Sequence, residues 1–177
     1  MQIFEKFNFD VILREQNDVT PLVVMMCGVA GSGKTTFSQL LEKRGFVRLS
    51  IDEEIWAVNG RWGIDFPMDK FEEYRKAAEE KLRGRLIKLI HDKQQVVIDF
   101  SFWDRARRDQ YKKLIKDSGG KWRLIYLNVH PNDLRERLKL RNQRFDANSF
   151  PISEELLTSY LNGFEIPQGE GEIVINN

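Results

Sequence analysis

Cysteine and histidine are nearly missing from this sequence: one Cys and two His among 177 residues. A lone thiol excludes an intrachain disulfide, so the fold must rest on a packed core, and the chain suits a reducing compartment. Cys27 closes an apolar run, where a packed, inert thiol is a simpler reading than a nucleophile. His91 and His130 fall at the ends of predicted elements, and neither has a metal-ligand partner at suitable spacing. No apolar run is long enough to cross a bilayer and Met1 to Asp10 lacks a signal-peptide pattern, so no membrane partner and a cytoplasmic location are expected. Neither charge is in excess: 28 Lys and Arg against 27 Asp and Glu give a formal net charge of +1, with no global pull toward nucleic acid. Internal repeats, low-complexity tracts and obvious linkers are all absent. We therefore read residues 1–177 as one domain, with residues 1–20 as an N-terminal extension whose period favours neither helix nor strand.

What is present is an ordinary globular mixture, 41% hydrophobic and 31% charged, long enough for one good core. Strand-like runs lie at Leu22–Cys27, Phe46–Ile51, Gln95–Phe100, Trp122–Val129 and Glu172–Ile175. Between them stand helical patterns at Thr36–Arg44, Asp52–Asn59, Asp69–Ile90, Asp104–Ser118, Asn132–Arg144 and Ser153–Leu161. The longest, Asp69–Ile90, starts with Asp69 and Glu72 at capping-pair spacing. Alternation of this kind predicts an α/β class: a three-layer fold whose doubly wound sheet is mostly parallel and has about five strands.

The most specific stretch is Gly28-Val29-Ala30-Gly31-Ser32-Gly33-Lys34-Thr35, which matches the phosphate-binding loop (Walker A) in full. Its flanks fit too, a buried strand before it and a helix after it. A polyphosphate needs many donors at close range, so Gly28, Gly31 and Gly33 should take positive φ and let the backbone approach. Ala30 and the N–H groups of Gly31, Ser32, Gly33, Lys34 and Thr35, with Thr36 opening the helix, would then line an anion nest at a helix N-terminus. Lys34 would reach the β- and γ-phosphates and the Thr35 hydroxyl would ligate Mg²⁺. ATP and Mg²⁺ are the expected ligands.

Several further segments carry a family resemblance: Arg48-Leu49-Ser50-Ile51-Asp52-Glu53, Val97 to Trp103, Arg105, Arg108-Asp109, Tyr126-Leu127-Asn128-Val129, Arg141-Asn142 and Phe164-Glu165-Ile166-Pro167. With the glycine loop they resemble a small bacterial P-loop kinase family, often described as an AAA-type ATP-binding protein. That family is related to chloramphenicol phosphotransferase, zeta toxins and polynucleotide 5′-kinases. The resemblance implies phosphoryl transfer from ATP to a hydroxyl and leaves the acceptor open. It does not extend to Met1–Thr20.

Placed after the second strand, Asp52 should project at the carboxyl edge of the sheet beside the phosphate loop. The related kinases use an aspartate there as the base that takes the acceptor's proton; the plainer alternative is a helix N-cap. Asp99 ends an apolar strand in the Walker-B manner, which suits Mg²⁺, although it and Asp52 could share the base function. Arg137, Arg141 and Arg144 recur on one helix face, and the resemblance makes Arg141 and Arg137 candidates for neutralising charge during transfer. Arg135 points elsewhere and suits a neighbouring acid. The following segment, Asn142–Phe150, is short for a lid. Loop-borne Trp62 is a candidate for stacking on substrate, whereas Trp56 reads as core. Arg105 and Arg108 either contact substrate or phosphate, or pair with Asp109 and Asp104.

The leading reading is thus a small-molecule kinase. A 5′-hydroxyl kinase of nucleic acid would want a basic groove that the charge balance does not suggest. A regulatory ATP-binding module with little turnover stays open. A GTPase switch would need an Asn-Lys-x-Asp signature that is absent, and a mechanical AAA+ ATPase would need a longer chain. Oligomeric state is not legible.

Overall fold

The structure, a computed structural model, describes Phe4, residues 7–17 and residues 19–176. In chain order the elements are α1 (Asp10–Leu13), β1 (Leu22–Cys27), α2 (Lys34–Glu42), β2 (Val47–Ser50), α3 (Ile51–Asn59), a 3-10 turn (Met68–Lys70) and α4 (Phe71–His91). They continue with β3 (Val96–Asp99), α5 (Arg105–Asp117), β4 (Lys121–Asn128), α6 (Pro131–Arg141), α7 (Glu154–Gly163) and β5 (Glu172–Asn176).

The five strands form one sheet in the order β2-β3-β1-β4-β5, with every neighbouring pair parallel. β1 lies at the centre, pairing Met25 with Ile98 on one side and with Leu124 on the other. All six of its residues are buried, as a strand covered on both faces requires. Strand alternation splits it into two sets. Val23, Met25 and Cys27 join the core formed with α4 and α5, while Leu22, Val24 and Met26 join Phe37 and Leu41 of α2 on the opposite face. The three-layer α/β expectation is met, and the sheet is wholly parallel. Because β1 carries the glycine loop at its carboxyl end, that loop and the ends of β2 and β3 share one edge of the molecule.

Local chemistry explains most boundaries. Ser50, in extended conformation, caps α3 by accepting from Glu53 N at 3.4 Å. Asp104 caps α5, accepting from Arg107 N at 2.7 Å, and Ser153 caps α7, accepting from Leu156 N at 3.2 Å. Two expected details are corrected. Asp69 and Glu72 form no capping pair, because the 3-10 turn takes up Asp69 and α4 starts at Phe71 behind Lys70, which has no side-chain cap. α6 ends at Arg141, so Arg144 leaves the helical face predicted for it.

The N-terminal residues are part of the α2 face. Phe4, Phe9 and Ile12 are buried there, and the Phe4 and Phe9 rings lie 5.1 and 5.0 Å from that of Phe37. Arg44 sits 4.1 Å over the Phe9 ring. Their short helix explains the missing period, since one turn is too brief to repeat. Ile3, the first apolar residue noted in that segment, lies outside the described residues. No helix among the described residues is long and apolar enough to cross a membrane.

Candidate active site

The glycine loop turns from β1 into α2 with Gly28, Gly31 and Gly33 at φ values of 148°, 82° and 98°. Gly28 has no room for a side chain: a Cβ there would meet Ser32 Oγ at 2.7 Å and the Leu127 carbonyl oxygen at 3.1 Å. Gly33 is the N-terminal boundary of α2 in left-handed conformation, so the exposed amides of Lys34, Thr35 and Thr36 begin the helix. Gly28 N donates to the Ser101 carbonyl at 3.2 Å, fixing the loop to the end of β3. The tip is covered by α6, whose Leu138 would lie 3.1 Å from a Cβ on Gly31. Val29 and Ala30 pack into the small core that Leu134 and Leu138 share with Ile152 and Leu157.

Charged groups converge at the mouth of this loop. Lys34 Nζ donates to the Val29 carbonyl at 2.9 Å, and burial lowers its pKa to about 8 against the pull of Asp99. Asp99, at the end of β3, is buried; burial raises its pKa, while Lys34, Arg48 and a hydrogen bond from the Thr35 hydroxyl act the other way. Arg48 Nη1 donates to Asp99 Oδ2 at 3.1 Å, its Nη2 reaches Glu53, and its Nε donates to Glu42 at 3.4 Å. Thr35 and Asp99 thus stand side by side, an alcohol and a carboxylate of the kind a hard divalent cation takes. Among the described residues no cluster of three or more His, Cys, Asp or Glu could hold a metal, so Mg²⁺ would draw its remaining ligands from phosphate and water.

Asp52 lies in the first turn of α3, two residues past the cap, because Ser50 takes the capping role that Asp52 could have filled. Its carboxyl is pushed up to about 6, first by the protein packed around the cleft and then by the neighbouring charge of Asp99; Lys34 and Arg141 oppose the shift. The residue remains open to solvent in that cleft, so water still reaches the carboxylate. Arg141 stands across from it: burial lowers the guanidinium pKa and Asp52 raises it again. Arg141 Nη2 donates to the Phe150 carbonyl at 2.9 Å, while its Nε and Arg137 Nη1 are buried without a hydrogen-bond partner among the described residues. Arg141, which faces Lys34 and Asp52, keeps a buried donor unspent, and such a donor suits an anion better than it suits the protein alone.

The other predicted residues separate. Arg108 turns away from the mouth into the core, where it is 1% exposed and bidentate to Glu170 at 2.6 and 2.8 Å. A substrate contact there is ruled out by burial, and the partner is neither Asp104 nor Asp109. Arg105 is exposed and lies 3.7 Å from Asp109. Arg135 pairs with Glu154 at 2.6 Å, as its orientation suggested. Trp62 is half-buried against Phe150, ring centroids 4.3 Å apart, and lines a cavity that Asp52 also lines. Trp56 lines the same cavity and meets Phe145 edge to face at 6.0 Å, so it is a wall residue and not core. Sequence reasoning missed Phe145, Phe150, Asn148 and the role of Arg48. Asn148 donates to Glu53 at 3.1 Å, which carries the 142–152 segment onto α3. Only Arg48 had a signal, as part of the quoted Arg48–Glu53 motif.

Cys27 is buried beneath the loop, and burial pushes its thiol up to about 11, which suits an inert packed group.

The profile of a family described as AAA domain matches residues 23–167. Among solved structures, a protein of Chloroflexus aurantiacus j-10-fl assigned provisionally as a kinase superposes with a TM-score of 0.69 at 19% identity, over 89% of this chain and 88% of that one. A gluconokinase from Sinorhizobium meliloti 1021 gives 0.55 at 18% identity, over 91% and 84%. The APS kinase CysC of Mycobacterium tuberculosis, solved with AMPPNP and APS, gives 0.55 at 16% identity, over 89% and 88%. At these identities the likeness concerns the fold. No curated protein matches the chain.

Proposed function

Because the chain belongs to the AAA domain family, in the small P-loop kinase group that its motifs and fold resemble, we propose that it is an ATP- and Mg²⁺-dependent phosphotransferase with a small-molecule alcohol as acceptor. One observation carries the reading: Asp52 belongs both to the charged cluster of the phosphate loop and to the wall of a separate cavity large enough for an acceptor. A pure nucleotide-binding module has no need of such a second chamber.

The chain's residues divide the work. The loop from Gly28 to Thr36, with Ala30 and Ser32 in its bend, cradles the phosphates by backbone donors. Lys34 exchanges its Val29 carbonyl for the β- and γ-phosphates. Thr35 and Asp99 would hold the metal, which would offset the charge of the phosphates. The acceptor hydroxyl, seated in the cavity, gives its proton to the Asp52 carboxylate while its oxygen attacks the γ-phosphorus. The bond from that phosphorus to the β–γ bridging oxygen breaks, and ADP departs with the electron pair. Arg141 and Arg137 meet the charge spread over the transferring group. Asp99 is already engaged by Arg48 and Thr35, which favours Asp52 over Asp99 as the base.

The test is transfer of labelled γ-phosphate with Mg²⁺ to a mixed panel of alcohols, nucleosides, sugars and 5′-hydroxyl oligonucleotides, each run beside Asp52→Asn. Label passing to an acceptor in the wild type and lost in the variant is the expected result. Tight ATP binding with no transfer would point to a regulatory module, and transfer to oligonucleotide alone to a polynucleotide kinase.

A further inference from the structure

The cavity beside Asp52 has a volume of about 370 Å³ and lies between α3, the 60–68 loop, the start of α4 and the segment around 144–151. Its wall is a run of rings. Trp62 and Phe150 stand 4.3 Å apart, Phe71 is 5.5 Å from Phe150, and Trp56 closes the other side against Phe145. Three of the most exposed large apolar side chains of the molecule rim it: Ile64, Met68 and Phe145, at 66%, 64% and 68% exposure. Apolar groups left in water around one opening mark a binding site far more often than chance surface.

The polar groups of the wall are largely spent. Ser149 Oγ donates to the Asp146 carbonyl at 2.7 Å and accepts from Asp146 N at 2.9 Å, and Asp146 Oδ1 accepts from Asn148 N at 2.9 Å. Arg61 is held by Asp65 at 3.4 Å and lies 4.1 Å over the Phe145 ring. Asp52 and Asp146 are the carboxylates that line the cavity, with Arg144 as a second lining cation beside Arg61.

On the strength of the phosphotransferase reading, we infer that the acceptor is an alcohol with an aromatic or similarly planar apolar body, which packs against the wall that Trp62, Phe150 and Trp56 line and brings its hydroxyl to Asp52. A sugar or linear polyol would bury most of its hydroxyls against rings, with few polar groups to meet them, a cost that an apolar body avoids. A nucleoside's base could stack there, but most of its ring donors and acceptors would face the same apolar wall. The reaction balances as before: the hydroxyl proton passes to Asp52, the new oxygen–phosphorus bond forms, and ADP leaves with the pair from the broken bond.

The experiment uses the full chain with Mg²⁺ and labelled ATP. The acceptors are 2-phenylethanol and 2-(2-naphthyl)ethanol against glycerol, glucose, adenosine and a 5′-hydroxyl oligonucleotide. Quenching of tryptophan fluorescence in Asp52→Asn reports binding without turnover. We expect kcat/KM for the aryl alcohols at least about tenfold above the other acceptors, and Trp62→Ala to raise their KM roughly tenfold with kcat and ATP affinity little changed. Trp62→Phe should keep most of the wild-type KM, which separates stacking from a general loss of structure. A sugar, polyol or nucleoside as the best acceptor would overturn the inference and leave the phosphotransferase standing. Aryl alcohols that quench fluorescence in a protein transferring phosphate to nothing would overturn the phosphotransferase reading, and the acceptor assignment with it.

Discussion

Asp52 and Lys34 are neighbours in charge but differ in how their environment treats them. A carboxyl raised to about 6 in the folded chain is protonated below that pH and cannot take a proton, so kcat/KM should rise through an inflection near pH 6 and fall again through one near pH 8, where Lys34 loses its charge. Asp52→Asn should remove the lower inflection along with orders of magnitude of rate, measured as phosphate transfer against pH. Stability carries the opposite sign. An acid whose folded pKa exceeds its ordinary 3.8 opposes folding once ionised, so stability is lost as pH rises from about 4 through about 6. Asp52→Asn should therefore melt higher than wild type above pH 6 and alike below pH 4, and a lower melting temperature at pH 8 would contradict the crowded cleft. Lys34→Ala should abolish transfer while the melting temperature holds, because its bond to Val29 is a resting contact. The Arg108–Glu170 pair is a purely structural matter. Replacing Arg108 with Met should cost about 3–5 kcal/mol in thermal unfolding, because it leaves Glu170 with Lys112 alone at 3.2 Å and strips the Phe102 and Glu165 carbonyls of their guanidinium donor. The places of Lys34, Thr35 and Asp99 could be read from local pattern alone, since a motif and its flanking strands fix where they stand. Arg108 could not, because its partner is 62 positions away and nothing local predicts that distance.

At the scale of elements, the segment after α6 decides most. It is short, and its side chains tie it down at several points. Asn142 clamps Ile152 from both sides, donating to the carbonyl at 2.9 Å and accepting from the amide at 3.1 Å, while Arg141 holds Phe150 and Asn148 reaches Glu53. This segment carries Phe145 and Phe150, one wall of the cavity. Asn142→Ala removes two hydrogen bonds, about 1–3 kcal/mol of local stability. Amides 143–151 should then exchange faster, and the acceptor KM should rise with little change in ATP affinity. Helical periodicity carried α6 on to Arg144, since a basic pattern does not reveal where side-chain hydrogen bonds take over from the backbone ladder. The N-cap given as the plainer alternative for Asp52 falls instead to Ser50: both residues suit a helix start, and only the strand end at Ser50 selects between them.

At the scale of the whole molecule, both faces of the sheet are sealed, and the N-terminal residues help to seal one of them. Ile12 is fully buried on the α2 face, so Ile12→Ala should cost about 2–5 kcal/mol in denaturant unfolding. A smaller loss would mean that α1 is dispensable to that core. The sequence by itself determined the fold class, the strands and the phosphate loop, because each depends on neighbours close in the chain: apolar runs, periodicity, and glycines at a turn that admits no Cβ. Tertiary structure alone decided the strand order, the docking of Phe4, Phe9 and Ile12, and the cavity in which Trp56, Trp62, Phe71, Phe145 and Phe150 meet Asp52. These residues come from four separate segments. No local pattern encodes their meeting, which exists only once a parallel sheet has brought the ends of its strands to one edge.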